Sequence, residues 1–214
     1  MKPLLAGLLA ASLITSAHAA TEQEIVNRST EIMREFRSMP ETAIPEHVLR
    51  NARGLAIMTV FKAGFVFSGK GGQGVVVAKT GHGWSGPSFI GTGGAGWGLQ
   101  IGAQVTDFVF VLNNAEAVRA FSRGGNITLG ADASAAAGPV GRDAHAGVTP
   151  TAAIYTYSRS KGLFAGASLE GAVIATQQER NARFYGRPVN AADVLFGRIP
   201  PPRRSAGLRA ALSR

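Results

Sequence analysis

The residues able to do chemistry in this sequence are few and scattered. Between Gly91 and Asn113 the only charge is Asp107, set in a run of valines and phenylalanines from Val105 to Leu112. A carboxylate in so apolar a run is costly unless it is paired or hydrogen-bonded. Arg142 and Glu170 also lie among small or apolar neighbours. These three charges admit two uses: a polar site that grips a ligand, or a buried ion network that fixes a sheet. The structural use is favoured, because acids would repel a phosphate-bearing ligand. Lys62, Lys70, Arg159 and Lys161 are different. They fall at expected strand ends and turns, where a long cationic side chain can reach outward to the surface.

Other chemistries find little support. The chain has no cysteine, so disulfides, thiolate metal sites and a thiol nucleophile are excluded. His47, His82 and His145 are far apart and none has a second histidine at ligand spacing, so no metal is expected. Two G-x-G-x-x-G matches start at Gly69 and Gly91. Dinucleotide binding needs a helix next, to present its N-terminus to the pyrophosphate. Here Val75-Val76-Val77 and Leu99-Gln100-Ile101 follow, which are strand-like. No cofactor is expected, and tight turns explain these glycines better. No serine sits in a G-x-S-x-G elbow. Nothing names an acid–base pair, and the chain is read as a non-enzyme.

The elements that hold these residues are read from periodicity. Gly94, Gly96, Gly98 and Gly102 keep a two-residue beat, which in a strand puts them on one face. A bare face lets another backbone or a bulky ring come close. Five short strands are expected around this stretch: Leu55–Phe61, Gly64–Ser68, Gly74–Lys79 and two within Phe89–Asn113. Asn114–Arg123 reads as a helix. Asn126–Ala137 alternates large and small residues, and Ala152–Ser158, Leu163–Leu169 and Gly171–Thr176 complete the strands. Helices are expected at Gln178–Tyr185, Asn190–Phe196 and Ala206–Leu212. The fold class is α+β: an antiparallel, strongly curved sheet or barrel-like core with N- and C-terminal helices. An outer-membrane barrel is disfavoured, because strands of about five to eight residues fall short of the roughly nine to eleven that a membrane strand needs.

Residues 1–19 read as a signal peptide: Lys2, an apolar run from Leu4 to Ile14, and the small-x-small site Ala17-His18-Ala19. With no cysteine after that site, a lipoprotein anchor is not expected; the mature chain would start at Ala20 in the periplasm. Residues 20–53 form an N-terminal helical segment and 54–214 a β-rich domain with C-terminal helices. Thr21 and Glu24 make a capping box for a helix to Met39, ended by Pro40. Its polar side carries both signs, so it is not a polybasic anchor, and its apolar stripe is expected to pack on the domain. Without the leader the charge is +8, and from Arg159 to Arg214 ten basic residues stand against three acidic ones. Such a surface attracts anionic partners.

The block GTGGAGWGLQIGAQVTDFVFVLN closely resembles the core of the SYLF-domain family. The resemblance continues at Gly54–Gly69, Leu129–Arg142 and Tyr157–Gly171, and covers about residues 52–212. It implies a lipid-binding domain. Lys62-Ala-Gly and Ser158-Arg-Ser-Lys-Gly match turns of that family. Lys62, Lys70, Arg159 and Lys161 are therefore where lipid phosphates would dock, with Asp107, Arg142 and Glu170 as structural buried charges. The expected partner is an anionic lipid head group or membrane surface, with no nucleic acid in vivo. The protein partner is unknown, and no actin is expected for an exported protein. The competing reading is an envelope interaction protein that binds anionic polymers or another protein.

Overall fold

The computed structural model describes residues 20–39, 44–138, 152–162 and 172–213, with backbone alone for 64–68, 95–102 and 161–162. The leader, His145, Arg142, Glu170 and the strand expected at 163–169 lie outside the described residues.

Glycine punctuation in the sequence marks bends rather than strand ends. Where three strands were expected there is one, β1 (Gly54–Thr80); where two were expected there is one, β3 (Ser88–Leu112). They pair antiparallel from Gly54–Leu112 to Val76–Ser88, with a register shift between Gly64 and Val66. A strand can run on through a bulge because the extra residue bends it without ending the ladder. The short β2 (Gly83–Trp84) lies in the turn between them. Beyond β3 come β4 (Asn126–Thr128), β5 (Ala135–Ala137), β6 (Ile154–Gly162) and β7 (Val173–Thr176). The order is β2-β1-β3-β6-β5, with β7 pairing both β3 and β4. Only β5 and β6 pair in parallel among the described strands. The sheet is a strongly curled half-barrel flanked by helices.

The curl folds β1 alongside itself. The Lys79 N–H donates to the Arg53 carbonyl at 2.8 Å. A Cβ added to Gly74 would lie 2.1 Å from the Ile57 carbonyl oxygen, and one on Gly72 would lie 2.8 Å from Val60. No side chain fits at such distances, so the approach requires glycine. Among the described glycines of the ribbon, the close backbone contact thus falls on β1; the surroundings of Gly96, Gly98 and Gly102 are outside the described side chains. Strand length no longer argues against a lipid-facing barrel, since β1 has 27 residues and β3 25. What argues instead is that one half of the ribbon is covered on both faces by this chain's own elements.

Those two faces are two cores. One face of the ribbon, with Leu55, Ile57, Val75, Val77, Val109 and Val111, packs on α1 (Glu22–Ser38), α2 (Glu46–Asn51) and α6 (Ala206–Ser213). The other, with Met58, Val76, Phe108 and Phe110, meets α3 (Ala115–Ser122) and β4. Strict alternation along a strand produces this division. Helix α1 forms where its capping box was read: Thr21 accepts from the Glu24 N–H and Glu24 accepts from the Thr21 N–H. Its stripe of Ile25, Ile32, Met33 and Phe36 is buried. Helix α4 (Gln178–Tyr185), which joins the first core through Phe184, and α5 (Ala191–Leu195), which joins the second through Leu195, follow the expected spans closely. Asn181 anchors α4: its buried amide accepts from the Phe89 N–H at 2.7 Å and donates to Ser88 Oγ.

Candidate functional site

Register brings the first group together. Thr59 on β1, Asp107 on β3 and Arg159 on β6 are direct neighbours across three strands. Asp107 is 2 % exposed. Its Oδ1 accepts from Thr59 Oγ1 at 2.8 Å, and its Oδ2 accepts from Arg159 Nη2 at 2.9 Å. Helix α1 adds Arg28, whose Nη2 donates to the same Oδ2 at 2.7 Å. Glu35, two turns further along α1, accepts from Arg159, and Glu31 pairs with Arg28 at 3.2 Å. Burial works against the Arg159 charge, but the hydrogen bonds and charges of Asp107 and Glu35 outweigh it and hold its pKa above the usual arginine value. The result is an ion network that clamps α1 to the sheet, with the buried Arg159 Nε left without a hydrogen-bond partner among the described residues.

Arg159 is thus placed in this network and not at the surface expected of a head-group ligand. The physical reason is its position opposite Asp107, a buried acid that needs a cation. Lys161 is the next residue outward on the same face and pairs in register with Val105. Lys62 is half-buried and Lys70 is exposed, one on each side of the Gly64–Val66 bulge. Lys70 lies beside Gly94, where an added Cβ would come within 2.9 Å of the lysine Cε. Phe61, next to Lys62, is 52 % exposed. The bend of the ribbon therefore carries Phe61, Lys62 and Lys70 together, with Lys161 one strand away.

Much of the basic excess after Arg159 serves the fold. Arg180 and Arg183 both pair with Glu22 at the start of α1. Burial works against the Glu22 carboxylate, but its own backbone hydrogen bond and the two arginines prevail and hold the carboxyl below the usual carboxylate range. Arg198 pairs with Asp193, and Arg204 stacks on the Phe184 ring at 4.1 Å. Sequence reasoning missed Arg28 as a partner of Asp107, and Glu31 and Glu35 as partners of the arginines that hold it. Their signal was present: three charges at helical spacing on the border of an apolar stripe.

A cavity of about 360 Å³ lies between α1 and the ribbon, beside the Asp107 network. Ala20, Ile25, Ile32, Phe61 and Val105 supply its apolar wall, and Glu24, Arg28, Ser29, Thr59 and Gln73 its polar part. Among the described residues no group of three or more histidines, aspartates or glutamates is arranged to hold a metal ion. No described helix is long and apolar enough to cross a membrane.

Residues 93–214 match the family model Ysc84, described as Las17-binding protein actin regulator. The chain is 45% identical over 189 residues to the human SH3 domain-containing YSC84-like protein 1, covering 85% of this chain and 55% of that protein. It is 50% identical over 167 residues to LAS seventeen-binding protein 3 of Saccharomyces cerevisiae, covering 76% of this chain and 36% of that protein. The chain therefore spans about half, or less, of the curated relatives it matches. These names carry binding and regulation. They also correct one expectation: actin cannot be set aside as a partner, because the matching family is described as an actin regulator and a yeast relative is named for binding LAS seventeen.

Proposed function

The chain belongs to the Ysc84 family, the same family as the SYLF resemblance, and from that premise we propose a non-enzymatic module that docks on anionic lipid surfaces. The observation that carries this reading is the bend of the ribbon, where the exposed Phe61 sits with Lys62 and Lys70. Each lysine near an anionic surface contributes on the order of 1 kcal/mol, so a few give reversible attachment. Phe61 adds an apolar contact that salt does not screen. The exported, periplasmic setting belongs to the same proposal; N-terminal sequencing of the secreted protein should begin at Ala20.

Vesicle sedimentation tests the reading. The protein should bind vesicles containing an anionic phospholipid and hardly bind purely zwitterionic ones. Binding should weaken as salt rises, because screening acts over about 8 Å at physiological ionic strength. The Lys62→Gln/Lys70→Gln double variant should bind about 30-fold more weakly, two lysines at about 1 kcal/mol each. Equal binding to both vesicle types would remove the electrostatic mechanism.

The names of the relatives favour a second reading, a protein-interaction module that contacts actin or a Las17-like partner. Co-sedimentation with filamentous actin, with no binding to either vesicle type, would select it.

A further inference from the structure

We propose that the cavity under α1 takes the hydrocarbon tail of a lipid: a single acyl chain of about twelve carbons enters beside Phe61 and lies between α1 and the ribbon. This deepens the lipid-surface reading and rests on it, since it assigns the tail where that reading assigns the head group.

The argument begins with what the cavity's polar neighbours are doing. Ser29 donates its hydroxyl to the Ile25 carbonyl at 2.9 Å, within its own helix. Thr59 donates to Asp107, and Arg28 donates to Asp107 and Glu31. These three polar side chains thus direct hydrogen bonds into the protein, and Glu24 accepts from the Thr21 N–H and hydroxyl, which leaves Gln73 as the remaining polar side chain of the lining. Most of the wall surface is apolar, supplied by Ile25, Ile32, Val105 and Phe61. A polar occupant would give up its hydration and find few partners, which is costly. A hydrocarbon gives up nothing and gains contact.

Size and access point the same way. An apolar cavity of about 150 Å³ is enough to hold benzene. The volume here, about 360 Å³, is more than twice that, which is room for about a dozen carbons. Phe61 both lines the cavity and is half exposed, so the wall continues to the surface at the bend that carries Lys62 and Lys70. A lipid whose head group met those lysines would have its tail next to the opening.

The test is a chain-length series by titration calorimetry: hexanoate, octanoate, decanoate, dodecanoate and tetradecanoate, each below its aggregation limit. Affinity should rise about fourfold per added methylene and stop rising near dodecanoate, where the cavity is full. Two variants fill the space from opposite walls, Ser29→Leu on α1 and Val105→Phe on β3. Each should weaken dodecanoate at least tenfold without lowering the melting temperature; if one unfolds, the other decides. The Lys62→Gln/Lys70→Gln variant should lose at most a few-fold in dodecanoate affinity. Affinity independent of chain length, or both filled variants binding dodecanoate like the unmodified protein, would overturn the proposal. So would loss of dodecanoate binding in the lysine variant, since the carboxylate and not the tail would then be recognised. Failure of vesicle attachment alone, with the chain-length series intact, would count against the surface-docking reading and leave the cavity assignment standing.

Discussion

The two ends of the ribbon share strands, register and backbone pairing, yet one is core and the other is surface. At the closed end Leu55 to Val60, Gly74 to Ala78 and Asp107 to Leu112 are buried on both faces. At the bend Phe61, Ala63, Gly69, Lys70, Gly71, Gly93, Gly94 and Ala103 are exposed. Hydrogen bonding cannot make the difference, because the ladder runs through both. Side-chain volume differs among the described residues: β-branched and aromatic residues fill the closed end, whereas glycine and alanine make up six of those eight exposed positions at the bend. Stability held at one end releases the other for contacts with outside partners.

This contrast can be broken most sharply with glycine. Gly74→Val should cost about 3 kcal/mol or more, since overpacking costs about 1–3 kcal/mol and a carbonyl cannot move aside as a side chain can. Gly71→Val, at the bend with nothing within 4 Å of an added Cβ, should stay within about 0.5 kcal/mol. Urea unfolding measures both, and similar losses would mean that the two ends do not differ in packing. Asp107→Asn comes next. Breaking a buried pair costs about 3–5 kcal/mol, and because Arg28 keeps contact with water the loss here should be about 2–4 kcal/mol. An undiminished unfolding midpoint would show that the clamp on α1 contributes nothing.

Smaller effects sharpen the comparison. Glu22→Gln should cost under about 1 kcal/mol at neutral pH. The Glu22 carboxyl has its folded pKa below its unfolded value of 4.5, so its contribution is present above that value and lost as pH falls through the folded one. Thermal melts of the two proteins should therefore converge in acid; a gap that persisted there would assign the loss to packing. Phe61→Ser should leave the melting temperature unchanged and remove only the salt-resistant part of vesicle binding. If the melting temperature fell by several degrees, the bend would belong to the core after all.

How legible the molecule was in its sequence followed from the range of each interaction. The capping box of α1 and the spans of α4 and α6 rest on neighbours within a few residues, and the sequence carries them directly. Strand continuity through Gly64 and Gly102 was illegible, because a glycine that ends a strand and one that bends it look alike. Asp107 announced itself as a costly carboxylate, but its partners come from α1 and β6, far away in the chain. Only the register shows that Arg159 lies opposite it. The same register moved Arg159 from the outward cations to the clamp and left Lys62 and Lys70 at the bend.

The doubling of β1 also bears on the order in which the chain folds. Ile57 meets Gly74 across a short stretch of chain, so closing that loop carries a small entropic cost. The glycine-rich middle of the ribbon is the most expensive part to order, because glycine loses the most conformational freedom. The two apolar thirds of the ribbon should therefore meet first and form the folding nucleus, with the bend pairing late. Substitutions at the bend would then act on the rate of unfolding and leave the rate of folding untouched, so that a surface for outside partners can change while the route to the native state stays the same.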